Sequence, residues 1–346
     1  GYATTKIYTG AQQAEVAAFR QANQGLLMSV EGDAKPLPFV EDTAVSPEKL
    51  PEYVRRFDEI VQSHGTEAGY YGHASVGCLH IRPFVNVRVQ DGIEKMEAIS
   101  RDVSDLVLEF EGSLTGEHGD GIVRGFWAEK MFGSELVQAF REVKKAFDPA
   151  GIMNPGRIID TPDIKDNLRY GAGYQANAVP TRLNFDAEDG FAGAVEMCVG
   201  IADCRKMHAG AMCPSYMATR EEEHSTRGRA NALRGVLSGA LPTESLASER
   251  MMQVLDLCLE CKSCKAECPA GMDMAKIKYE HLYQHYRDRR VPLGPRLVAN
   301  IHRLNSLAAP IATIANLTTR SFPVRLLFEI VAGFDRSRPM PKVVRQ

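Results

Sequence analysis

Along this chain, apolar residues recur at helical spacing in several stretches but alternate with polar ones in only one. The rhythm over 11–31 (AQQAEVAAFRQANQGLLMSVE) predicts a helix ending near Gly25. A second helix fits 46–64, where Ser46-Pro47-Glu48 has the form of an N-cap with proline in the first turn and Leu50, Val54, Phe57 and Ile60 follow. The glycine-punctuated stretch 69–77 is expected to be a loop, and Leu79–Val89 alternates as a strand. Ile93–Phe110 and Ser134–Phe147 are amphipathic, with a glycine-rich loop, Gly116–Gly121, between them and Asp148-Pro149 closing the second. This mixture predicts an α+β domain over 1–165. Residues 166–190 are rich in Pro, Gly, Asn and Asp without sustained period, as expected of a linker. Beyond that only helical signals appear, among them 221–240 and Met274–Asp288. The expectation is an all-α domain over 191–290, then a helical extension, 291–346, leading towards a further domain. No internal repeat of fixed period is present.

Composition narrows the classes. The 346 residues are 44% hydrophobic and 25% charged, ordinary for a globular protein of two or three domains. A net charge of −3 gives no support to a nucleic-acid partner. Eight cysteines without a signal peptide point to a reducing cytoplasm. No apolar run reaches membrane-spanning length; the most apolar, Leu307–Leu317, is short and contains Pro310. The chain opens at Gly1 without a methionine, from which a processed piece, a fragment or a separate subunit of something larger is expected.

Seven of the eight cysteines lie between Cys198 and Cys268. Four of them, Cys258, Cys261, Cys264 and Cys268-Pro269, follow the C-x₂-C-x₂-C-x₃-C-P pattern of bacterial-type ferredoxins. Two-residue spacings let a tight turn bring successive thiolates onto one face of a [4Fe–4S] cluster. Zinc competes for cysteine pairs, yet its sites use separated pairs rather than four cysteines in eleven residues. Upstream, Cys198, Cys204 and Cys213-Pro214 are spaced C-x₅-C-x₈-C-P, one cysteine short of a second set. In two-cluster logic Cys213 joins Cys258, Cys261 and Cys264, while Cys268 joins Cys198 and Cys204. That leaves a corner for His208 or for no residue, and one or two clusters per chain.

A second constellation involves histidine. His73 and His80 flank the entrance to the alternating strand, and Glu117-His118 sit between Gly116 and Gly119. Two imidazoles and a carboxylate make a three-ligand site for a divalent metal such as zinc, with a position open for a substrate oxygen. His118 is then placed to accept a proton. By spacing alone, glycine-flanked loop histidines with satisfied hydrogen bonds are the better account.

The stretch from Gly69 to Ile159 resembles the C-terminal half of FAD-linked oxidases that dehydrogenate D-2-hydroxy acids. The resemblance rests on His73-Ala-Ser-Val-Gly-Cys-Leu-His80, on Gly116-Glu-His-Gly-Asp-Gly121 and on Phe147-Asp-Pro-Ala-Gly-Ile-Met-Asn154-Pro155. It implies that His73, His80 and Glu117 are metal ligands and that His118 is the base beside the flavin. It further implies that Asn154, with Glu117, closes the flavin side, that Arg20 is a carboxylate clamp, and that Cys78 lies near the substrate, where the family often has asparagine. With Phe39-Val-Glu-Asp-Thr43 and the cysteine motifs, the form is similar to large bacterial enzymes that fuse a flavin module to an iron–sulfur module.

The resemblance implies a ferredoxin-like cap, or substrate module, of the FAD-linked oxidase type, followed by an all-α ferredoxin-like iron–sulfur domain. The activity expected is oxidation of a D-2-hydroxy acid of the D-lactate or D-2-hydroxyglutarate class, with electrons leaving through [4Fe–4S] to a quinone or carrier. FAD is expected to be held by a binding half on the same or another chain, because no G-x-G-x-x-G loop is present. The rival expectation is a non-catalytic iron–sulfur electron-transfer subunit. A cytoplasmic site, with peripheral attachment at the inner membrane as one option, fits either reading, and a homo-oligomer is left open.

Overall fold

The computed structural model describes residues 9–28, 30 and 32–344, with the side chains of 18, 20–26 and 28 outside that description. Its first half is a small antiparallel sheet backed by two long helices. After α1 (Ala11–Met28) come the two-residue strands β1 (Lys35–Pro36) and β2 (Thr43–Ala44), helix α2 (Leu50–Ser63), the hairpin β3 (Ala68–His73) and β4 (Cys78–Val85), then α3 (Gln90–Glu109) and α4 (Ala128–Phe147). β4 is the hub, pairing with β3 along one side and with β1 and β2 along the other. The hairpin register sets Tyr71 opposite His80 and His73 opposite Cys78.

The hairpin corrects one expectation. Residues 69–77 are a strand and a turn rather than a loop, because Gly69 and Gly72 take ordinary extended positions in a paired ladder. Only Gly77 turns the chain: at φ 71 its missing Cβ would lie 1.8 Å from the Val45 carbonyl oxygen. The expected strand to Val89 ends early at Val85, where the Asn86 side chain accepts from the Arg88 N–H and makes a turn. Helix α1 runs past Gly25 to Met28. Ser46 makes no capping bond to the backbone; its hydroxyl goes to Glu48 and a 3₁₀ turn precedes α2. α4 begins earlier than Ser134 and is broken at Gly133.

Tyr53, Phe57 and Val61 from α2 meet Ile81 and Val85 from β4 and Ile99, Val103 and Val107 from α3 in one apolar core. A second core lies further along the chain. It joins Phe191 and Val195 of α5 (Gly190–Glu196), Leu233 and Leu237 of α7 (Thr226–Leu237), Leu255 of α8 (Glu249–Asp256) and Ile277 of α10 (Met274–Tyr286). The short helices α6 (Pro214–Thr219) and α9 (Ser263–Glu267) carry cysteine loops at its edge. Among the described residues no strand occurs after Val85.

The connecting stretch is pinned rather than free. Asn177 donates to the carbonyls of Val236 and Leu237, and the buried Glu280 carboxylate accepts the N–H groups of Arg182 and Leu183. Arg88 stands between the two cores. It pairs with Asp33 (3.0 Å) and Glu196 and lies over the rings of Tyr170 and Tyr174. The chain ends in α11 (Leu293–Ala299), α12 (Ile301–Ala308), α13 (Ala312–Arg320) and α14 (Phe322–Ala332), which leave Leu307, Ile314, Leu317, Phe322, Leu327 and Ile330 largely exposed. No described helix is long and apolar enough to cross a membrane.

Candidate functional site

The hairpin brings two histidines to one end of the sheet. His73 ends β3, and His80, two residues into β4, faces the same side. The Gly116–Gly121 loop meets them there: Nε2 of His73 and Nε2 of His80 each lie 3.0 Å from Glu117 Oε1. His118 stacks on His80 with ring centroids 4.8 Å apart and planes 6° from parallel. The four residues singled out by their motifs are therefore together.

Asp42, which sequence reasoning passed over, holds the loop in place. This fully buried carboxylate accepts the N–H groups of Gly116, Glu117 and His118, the last at 2.7 Å, and the Cys78 thiol at 3.4 Å. Burial alone would raise its pKa, but those donors hold it below the ordinary carboxylate value. Cys78 sits behind the loop. Burial, and then the Asp42 carboxylate, push its thiol up to about 11, so it is neutral at physiological pH. Gly116 is required there, since a Cβ would come 2.7 Å from Cys78 Sγ.

Glu41 is the second residue that sequence reasoning missed. One carboxylate oxygen binds buried Arg82 through Nε (2.7 Å) and Nη2 (2.6 Å), while the other faces His118 Nδ1 at 3.5 Å. Arg124 braces the corner, donating to the carbonyls of Glu41 and Gly119. The signal in sequence was an acidic pair inside an apolar run, Phe39-Val-Glu-Asp-Thr43, which locates buried charge but not its partner. Among the remaining expectations, Asn154 is exposed, in left-handed conformation at φ 46, beyond the Asp148 carboxylate that caps the N–H groups of Ile152 and Met153. Arg20 lies on α1, but its side chain is outside the described residues.

The donor set suits a divalent cation. Asp42, Cys78, His80 and Glu117 place ligand atoms within 4.8 Å of one another, with His73 at Glu117 beside them. Asp42 is already engaged by three backbone donors and Cys78 is a neutral thiol, so the ligand atoms that converge on one point are those of the two imidazoles and Glu117. Burial, and then the neighbouring His118, lower the pKa of His80, which favours the neutral imidazole that a metal needs.

The cysteines form two cradles. Cys213, Cys258, Cys261 and Cys264 line one cavity together with Arg229. Cys198, Cys204 and Cys268 line another, with Ile201 and Arg227. Met212 and Thr226 line both. The division is the one two-cluster logic expects, and His208, which is exposed, lines neither cavity. Arg229 is fully buried; it donates to Ser215, to the Val254 carbonyl and to Cys213 Sγ (3.5 Å), and makes no ion pair with a carboxylate among the described residues. A buried cation without a carboxylate fits beside an anionic thiolate cluster, and without such a neighbour it would be costly. Of the basic residues next to the cysteines, Lys262 lines the first cavity, whereas Arg205 and Lys265 pair with Glu222 and Asp273.

Comparison with known proteins matches these two halves. Residues 1–158 match the family described as FAD linked oxidases, C-terminal domain, and residues 196–273 match the 4Fe-4S dicluster domain. The chain joins an FAD-linked oxidase C-terminal domain to a 4Fe–4S dicluster domain. It is similar to the D-2-hydroxyglutarate dehydrogenase of Haemophilus influenzae, with 30% identity over 91% of this chain and 34% of that protein. The D-2-hydroxyglutarate dehydrogenase of Escherichia coli is 31% identical over 90% of the chain and 34% of that protein. The D-lactate dehydrogenase of Archaeoglobus fulgidus is 35% identical over 38% of the chain, all within a stretch of 133 residues. The chain thus spans about a third of the length of these two D-2-hydroxyglutarate dehydrogenases. The oxidase domain implies FAD, and the dicluster domain implies iron–sulfur clusters.

Proposed function

We propose that this chain is the substrate-side and electron-exit part of a flavin- and iron–sulfur-dependent dehydrogenase. The enzyme oxidises a D-2-hydroxy acid of the D-lactate or D-2-hydroxyglutarate class to the 2-keto acid. The carrying observation is the meeting of His73, His80 and Glu117 at one point, with His118 stacked beside them. A divalent cation at that point would act as a Lewis acid on the substrate hydroxyl. His118 receives the hydroxyl proton at Nε2, because Nδ1 is turned to Glu41 and Arg82 fixes that carboxylate. Glu41 is thus a positioning residue for the base. Arg20 binds the substrate carboxylate as a bidentate fork, and Cys78 forms part of the wall behind His80. Asn154 and the exposed Phe147, Ile152 and Met153 meet the FAD-binding half, on the same or another chain.

In this reading residues 1–165 are a ferredoxin-like substrate module, 166–190 a pinned connector, 191–290 an all-α cluster domain and 291–346 an extension. Electrons leave through the cysteine cradles to a quinone or carrier. The extension carries seven arginines and one lysine against two carboxylates, together with an exposed apolar face. That combination supports peripheral attachment to an anionic membrane surface, on the cytoplasmic side of the inner membrane.

The enzyme reconstituted with its FAD-binding half provides the test. Anaerobic D-2-hydroxyglutarate or D-lactate should bleach the flavin, the L-enantiomers should not, and chelation should abolish bleaching until a divalent metal is restored. Equal bleaching after complete chelation would sink the metal-assisted reading.

A further inference from the structure

The two cysteine runs are backbone copies of each other. In the run starting at Cys258, left-handed residues fall two and four positions on, at Glu260 (φ 55) and Lys262 (φ 62), and a short helix starts at Ser263. In the run starting at Cys198, left-handed residues again fall two and four positions on, at Gly200 (φ 89) and Ala202 (φ 71), and a 3₁₀ turn starts at Asp203. Laid over one another, Cys198 matches Cys258 and Cys204 matches Cys264. The residue that matches Cys261 is Ile201. Its side chain lines the second cavity with Cys198, Cys204 and Cys268, as Cys261 lines the first.

Nothing else at that cavity supplies a fourth thiolate. Cys213 lines the other cradle, and Cys78 belongs to the first core region, bound to Asp42. Asp203 is the one carboxylate in the lining, and it accepts from Lys206 Nζ at 3.1 Å. Sulfide-bridged iron needs one ligand per metal beyond the bridging sulfides, and isoleucine offers none. We infer that Cys198, Cys204 and Cys268 hold a three-thiolate [3Fe–4S] cluster, with Ile201 filling the fourth corner, while Cys213, Cys258, Cys261 and Cys264 hold [4Fe–4S]. The inference rests on the iron–sulfur reading of the second domain.

Iron analysis and electron paramagnetic resonance of the full chain, purified in air, test it. The expectation is about seven irons per chain and, in the oxidised protein, a signal from one spin-½ centre per chain, because an oxidised [3Fe–4S] cluster is paramagnetic and an oxidised [4Fe–4S] cluster is not. Ile201→Cys should raise the iron to about eight and abolish that signal, and Ile201→Val, which adds no ligand, should change neither. Asp203→Ala should likewise leave both unchanged; loss of iron or a changed spectrum would give the corner to Asp203 and overturn the inference. About eight irons with an oxidised protein silent in resonance, or about four irons and no signal, would also overturn it. Complete absence of iron would instead remove the iron–sulfur reading beneath it.

Discussion

His73 and His118 stand on either side of His80, yet they should fail in different ways. His73 shares a Glu117 oxygen with His80, so in the proposed reaction its loss removes a ligand. His118 faces Glu41 and stacks on His80, so in the same proposed reaction its loss removes a proton acceptor and leaves the ligand atoms in place. In the complete enzyme, His118→Ala should keep the metal and lower kcat by about 10²–10⁴, the usual worth of a positioned base. His73→Ala should lose metal and turnover together. Metal content measured beside the rate of flavin reduction separates the two, and wild-type flavin reduction in His118→Ala would place the base elsewhere. These residues were legible in the sequence because each stands in a short motif flanked by glycine. Glu41 and Arg82 were not, since nothing local says that residues forty-one positions apart form a buried pair.

At the scale of elements, the site depends on one carboxylate reaching across the fold. Asp42, just before β2, accepts three successive N–H groups from the loop that carries Glu117 and His118. Asp42→Ala would leave three partly buried donors unpaired, at an expected cost of about 1–3 kcal/mol. Amide hydrogen exchange should show residues 116–118 losing protection while α3 stays protected. Unchanged protection in the loop would mean that the Cys78 and Gly116 packing holds it without Asp42. Helices α2 and α3 were readable in the sequence because their apolar faces are long and periodic. β3 was not, because Gly69 and Gly72 imitate a loop while their pairing with β4 is decided by residues further along. Cys258 and its neighbours announced a cluster through spacing alone, whereas Arg229, fully buried against Cys213, carried no local sign of burial.

The whole molecule sets an acidic body against a basic tail. Net charge is −3, while the last sixty residues hold eleven basic side chains and three acidic ones. Exposed Leu307, Leu317 and Phe322 lie among them, so binding to vesicles should combine apolar insertion with charge. The chain should cosediment with vesicles of mixed phosphatidylglycerol and phosphatidylcholine, not with phosphatidylcholine alone. About 0.5 M salt should weaken that binding at least several-fold, as screening of surface charge requires. Equal binding to both vesicle types would leave only the apolar face at work, and none to either would assign the face to another polypeptide segment. Arg88, set between two cores against Glu196 and two tyrosines, keeps the histidine corner and the cysteine cradles on one framework. The cradles themselves share Met212 and Thr226 as a common wall. Charge delivered to one is therefore felt by the other through a layer of protein rather than through bulk water, where it would be better screened. With a cluster in each cradle, the first electron to arrive would raise the cost of the second, so the pair should empty and refill in sequence, as a short queue rather than as two independent stores.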